Sequence, residues 1–164
     1  MTAIPRDLVA RSLQVAPEAL PPGDLPVARL AERWMGYLRD TAADDAPEGP
    51  APQEHPEFWT FALIFDLARE APDLCLDVIV AALPLCRSPE EVALVAAGPL
   101  EDVIAANGPA VIDRIETLAP ENARLRFALT GVWPQGSAGT PLWQRIEAAR
   151  AGETGIDGGA PLPD

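Results

Sequence analysis

The placement of proline restricts this chain more than any other feature. Nineteen prolines in 164 residues rule out long uninterrupted helices and central strands unless each proline falls at an element's end. Most of them do. Pro56, Pro72, Pro89, Pro99, Pro109 and Pro141 each stand just ahead of an apolar run at helical spacing. At that first helical position the fixed φ and the missing N–H cost nothing. Several others gather in two connections, 16–26 (APEALPPGDLP) and 44–54 (DDAPEGPAPQE). Only 5% of residues are aromatic while 48% are hydrophobic, so Ala, Leu and Val supply the core, a helical palette. The expectation is an all-α fold, a compact irregular array of about seven to nine short helices.

The helices can be placed one by one. Residues 5–15 predict a short amphipathic helix burying Leu8, Val9, Leu13 and Val15. A second spans 26–43, with Val27, Leu30, Trp34, Tyr37 and Leu38 on one side. His55-Pro56-Glu57 opens a third that runs to about Glu70 and is apolar nearly all round. Such a helix is expected at the centre, covered by its neighbours. Pro72-Asp73 opens the next, and Ser88-Pro89-Glu90-Glu91 is a capping box in which Glu91 reaches back to the serine amide. Gly98 in a left-handed conformation and Asn107-Gly108 are expected to end two further short helices. The junctions Gly98-Pro99 and Gly108-Pro109 give a helical-repeat-like impression, but no clean repeat follows. Later helices are expected at 109–118, at 121–133 and, capped by Thr140-Pro141, from 141 to 151. The resulting organisation is a single domain: N-terminal helices and an acidic loop over 1–54, a helical core over 55–151, and a disordered tail over 152–164.

Charge and residue usage exclude many functions. The formal net charge is −13, which repels nucleic acid and anionic lipid and would attract a basic protein. All twelve cations are arginine, so Schiff-base chemistry and a phosphate-loop lysine are excluded. Cys75 and Cys86 sit in apolar helical sequence as core thiols, and with His55 they cannot assemble a zinc site unaided. No cofactor is expected. The longest apolar run, Leu74 to Leu85, contains Asp77 and is too short to cross a bilayer. A cytoplasmic location is expected, since no signal peptide is visible.

HPEFW (55–59), AAGPLEDVI (96–104), GPAVIDRIE (108–116) and LTGVW (129–133) together resemble an uncharacterised bacterial helical domain family. That family has an AGPLED-type core and a closing glycine–valine–tryptophan. The resemblance spans about residues 55–147. It implies a helical domain and carries over no activity, but it singles out Gly98, Pro99, Leu100, Glu101, Asp102, Trp59 and Trp133 as matching positions.

The candidate binding residues are Trp59, Glu101, Asp102, Arg126, Trp133 and Trp143. Glu101 and Asp102 follow Pro99, where a helix start stabilises carboxylates by about 0.3–1 kcal/mol each. Adjacent helical residues diverge by about 100°, so this pair needs a third acid such as Asp66 or Asp113 for carboxylate catalysis. Either acid could instead hold Arg114 or Arg126. Of Arg124 and Arg126, one is expected in an ion pair and the other in water. Trp133 and Trp143 flank the 134–139 loop and are candidates to line a groove. His55 reads as a solvent-facing helix start, and no serine lies in a nucleophile elbow. The expected function is therefore non-catalytic: an acidic helical domain that binds another protein, basic in character, or a second copy of itself. A neutraliser of a bacterial toxin or effector fits that description. The alternative is an enzyme or a small-molecule or metal binder built on Glu101 and Asp102, and mimicry of nucleic-acid charge ranks last.

Overall fold

The computed structural model describes residues 2–42 and 51–164. Most of the acidic loop expected at 44–54 therefore lies outside the described residues, and its end folds as a 3-10 turn, Pro52–Glu54. The fold is all-α. Its helices are α1 (Arg6–Ser12), α2 (Val27–Ala42), α3 (Phe58–Glu70), α4 (Pro72–Ala82), α5 (Pro89–Val95), α6 (Glu101–Leu118), α7 (Ala123–Leu129) and α8 (Pro141–Ala149). The only sheet among the described residues is a two-residue antiparallel pair, β1 (Ala3–Ile4) on β2 (Leu25–Pro26), with Ile4 opposite Leu25. That pair closes the 16–26 connection against the start of α2.

The central helix is α4 rather than α3. Cys75, Leu76, Val78, Ile79 and Ala82 are all fully buried, with α2, α3 and α6 packed around them. The α3 helix buries Trp59, Leu63, Ile64 and Leu67 but exposes Phe61 (46%) and Phe65 (43%). Its apolar content thus exceeds what its neighbours cover, contrary to the expectation of full burial. Helix α1 buries Val9, half-buries Leu8 and Leu13, and leaves Val15 exposed, because the chain turns away after Leu13.

The caps explain most boundaries. Ser88 Oγ accepts the Glu91 amide (3.3 Å), as the capping box requires. The Glu91 carboxylate does not return to Ser88; it accepts the Arg87 amide (2.8 Å) and holds Arg39 with two bonds of 2.8 and 3.0 Å. Thr140 Oγ1 caps α8 through the Trp143 amide, and Asn122 Oδ1 caps α7 through Leu125. Helix α3 begins at Phe58, two residues later than Pro56 suggests, because His55 Nδ1 accepts the Glu57 amide (3.1 Å) and holds the turn. His55 is half-buried and edge-on to Tyr37, not solvent-facing.

Two expected helix ends are kinks instead. Gly98 has φ −102°, not a left-handed value, and the chain passes through 96–100 as a wide π-turn into α6. Asn107 leaves helical geometry (φ −141°), yet α6 resumes beyond it. Its side chain explains the kink by donating to Ala68 O (2.9 Å) and Arg69 O (3.0 Å), two orphan carbonyls at the end of α3. At Gly108 a Cβ would stand 2.4 Å from Leu142, so the absent side chain lets α8 lie directly on α6.

Residues 152–164 do not extend into solvent as composition suggests. Ile156 and Leu162 pack against the core, Ile156 N donates to Thr130 Oγ1, and Arg126 pairs with Glu153 (2.6 Å). Arg124, expected in water if Arg126 is paired, instead donates to Leu83 O, Cys86 O and Pro163 O.

The Arg39–Glu91 pair gives the fold a pH signature. Arg39 holds the Glu91 carboxyl below the ordinary glutamate range, against the opposing effect of partial burial. A carboxyl depressed on folding adds stability above its unfolded pKa, and that stability disappears as pH falls through the folded value. Urea unfolding should therefore show less stability below about pH 4.3, the unfolded glutamate value, than at pH 7. Arg39→Met should flatten that slope; an unchanged slope would mean the pair does not couple to folding.

Candidate functional site

Glu101 and Asp102 open α6, and the structure gives them different tasks. The Glu101 carboxylate reaches across to the 133–135 turn, where Oε2 accepts the Trp133 backbone N–H (2.9 Å) and Oε1 accepts Gln135 Nε2 (2.5 Å). Gln135 takes a left-handed backbone (φ 45°) in making this turn. The helix start thus anchors the segment that follows α7. Trp133, pinned by its own amide, leaves 67% of its surface exposed. The Asp102 carboxyl sits above the ordinary aspartate range: partial burial raises it, the adjacent Glu101 charge raises it further, and Arg69 pulls it partly back.

Arg69 connects this corner to α3. Its guanidinium stacks over the Phe65 ring at 5.5 Å, and Phe61 lies one turn earlier on the same helical side. Phe61 in turn meets Phe58 (5.8 Å) and Tyr37 (6.2 Å). A path of neighbours therefore runs from Trp133 through Glu101, Asp102, Arg69 and Phe65 to Phe61. Along it, two carboxylates and one arginine stand between an exposed tryptophan and two exposed phenylalanines.

The other sequence candidates lie elsewhere. Trp59 is buried beneath the Arg33 guanidinium (5.0 Å), and its carbonyl accepts Ser12 Oγ. Trp143 is buried too, with Nε1 donating to Glu147 (2.9 Å) and Arg150 over the ring, so it does not line a groove with Trp133. Arg126 binds Glu153, Ala119 O and Pro120 O, while Arg114 binds Asp73 and Asp77. Neither arginine holds Glu101 or Asp102. Asp113 pairs with Arg145 (2.6 Å), which commits it away from those two acids. No group of three or more His, Cys, Asp or Glu among the described residues could hold a metal ion. Both thiols are buried, and burial pushes Cys75 to about 12 and Cys86 to about 11, far above the range of reactive thiols. No helix of the described residues is long and apolar enough to cross a membrane.

Sequence reasoning missed Phe61, Phe65 and Arg69. The signal was present in FWTFALIF (58–65), where the apolar residues cover more than the side a surface helix buries. Treating that excess as evidence of a central helix was the error.

Glu101→Gln keeps the shape but exchanges charge-assisted bonds for neutral ones. It should cost about 1 kcal/mol and speed amide exchange at Trp133. Unchanged exchange there would show that Glu101 does not hold the turn.

No curated protein and no solved structure matches the chain. A family model does match residues 47–154, about two-thirds of the chain, and the match includes α3, both kinks, Glu101 and Trp133. The chain belongs to DUF6869, a family of unknown function.

Proposed function

We propose that this chain is a non-catalytic protein-interaction domain that docks a basic protein through the face running from Trp133 to Phe61. The observation that carries the reading is Trp133, a large ring two-thirds exposed on a backbone fixed by Glu101. Fixing the backbone that carries the ring lowers the ordering cost of docking it, and tryptophan is enriched at interface hot spots. Phe61 and Phe65 add a second apolar patch, and Glu101 and Asp102 supply negative charge between it and Trp133. The net charge of −13 favours a basic partner by steering. Neutralising a basic bacterial effector by covering its surface is the role these features suit, and the buried thiols suit a reducing cytoplasm.

The competing reading, a carboxylate enzyme or metal site at Glu101 and Asp102, has less support. Both Glu101 oxygens are engaged by the 133–135 turn, and the acids named as possible thirds, Asp66 and Asp113, form no metal-holding group with them.

Affinity capture from the producing organism, with wild type and Trp133→Ala compared by quantitative mass spectrometry, tests the proposal. A specific basic partner should be retained by wild type and lost on substitution, a drop of about tenfold or more in affinity. Circular dichroism and urea midpoint should barely change, since the ring is exposed. Equal retention by the two proteins would move the interface elsewhere. If the partner is a second copy, light scattering will show a dimer that Trp133→Ala splits.

A further inference from the structure

A cavity of about 450 Å³ lies between the N-terminal segment and the start of α3. That is the size of a small-molecule site. Val9 of α1, Leu13 just beyond it, the leucines and prolines of 20–26 and Trp59 form its apolar walls, and Arg6, Asp24, Arg33 and Glu57 bring charge to it. Most of this wall lies before residue 47, outside the family match, so the site is not implied by family membership.

The two arginines are in different conditions. Arg33 is satisfied, with Nε and Nη2 both on Glu57 at 2.8 and 2.6 Å. Arg6 is not. Its Nη2 donates to Leu20 O, but its Nε is shielded from solvent and has no acceptor. Arg6 also forms no ion pair with a described carboxylate. Asp24, the adjacent acid in the cavity wall, accepts the Arg6 backbone N–H (3.1 Å) and not its guanidinium. The other arginines without a carboxylate differ. Arg69 and Arg87 are exposed, Arg124 has three carbonyl acceptors, and Arg150 has Leu129 O. A guanidinium partly desolvated and without a described carboxylate is unfavourable, and an anionic oxygen set beside it in the cavity recovers a charge-assisted bond.

We infer that this cavity binds a small monocarboxylic acid with an apolar body, its carboxylate on Arg6 and its hydrocarbon against Leu13 and Trp59. The carboxylate lies against the Arg6 guanidinium and supplies a counter-charge that no described carboxylate gives it in an ion pair. The wall of leucine, proline and tryptophan side chains supplies the apolar contact. The acidic net charge works against any anion at a distance, but screening over about 8 Å at physiological salt restricts the effect to nearby acids, of which Glu57 is committed to Arg33 and Asp24 to the Arg6 amide.

The test uses the whole chain labelled with nitrogen-15 and titrated with octanoate or octanamide, which differ only in the head group. Octanoate should move the Arg6 Nε–H and Trp59 indole resonances saturably, and octanamide should bind about tenfold more weakly. Arg6→Gln should weaken octanoate by a similar factor and erase the preference for the acid. Absence of saturable shifts at these two resonances, or equal affinity for acid and amide, would overturn the inference. Should Arg6→Gln fail to fold, the acid-against-amide comparison on the unsubstituted protein decides by itself.

Discussion

Trp34→Ala should remove about 3–5 kcal/mol of unfolding free energy, measured by urea denaturation. Trp34 is 2% exposed in α2, on the side that packs against α4, and it is the largest fully buried side chain among the described residues. Truncating it removes apolar burial and leaves a void that rigid helices on both sides cannot close. Trp34→Phe should cost far less than its lost volume alone implies. The indole Nε1 is buried with no acceptor, so phenylalanine deletes an unsatisfied donor together with part of the ring. If the two substitutions destabilise equally, an unseen partner, such as a buried water, satisfies that nitrogen. The contrast with Trp133 is direct: truncating one tryptophan should unfold the protein more readily, and truncating the other should only weaken binding.

Arg124→Met should cost about 2–3 kcal/mol and loosen the C-terminal segment. Methionine keeps the apolar stem but strips donors from Leu83 O and Cys86 O (both 2.9 Å) and Pro163 O (3.0 Å). The first two carbonyls end the turn after α4, so the arginine closes the central helix and ties down the tail at once. Hydrogen exchange at Ile156 and Leu162 should accelerate on substitution, ahead of global unfolding. Tail amides exchanging at an unchanged rate would show that Ile156, Leu162 and the Arg126–Glu153 pair hold the segment without Arg124.

Proline and cap positions made the helix order legible from the chain alone. Pro72, Pro89 and Pro141 begin α4, α5 and α8 where expected, and Ser88 and Thr140 cap as their chemistry requires. These signals act over three or four residues, so they survive without knowledge of what lies nearby. Gly98 and Asn107 failed as stop signals for the opposite reason. Asn107 is recruited by carbonyls 38 and 39 residues earlier, and no local pattern carries that information.

The candidate site divides the same way. Glu101 and Asp102 were found as helix-start acids, but that Glu101 spends its carboxylate on the Trp133 amide depends on a contact across 32 residues. Four tryptophans are equivalent as letters; packing buried Trp34, Trp59 and Trp143 and left Trp133 outside. What the chain determined by itself was the helical class, the run of short elements and the acidic surface, because capping, backbone restriction and charge are local or additive properties. Only the tertiary arrangement decided which apolar residues remain uncovered, which guanidinium keeps a buried donor without an acceptor and where the tail lies. Burial and pairing are properties of neighbours in space, set by segments distant along the chain.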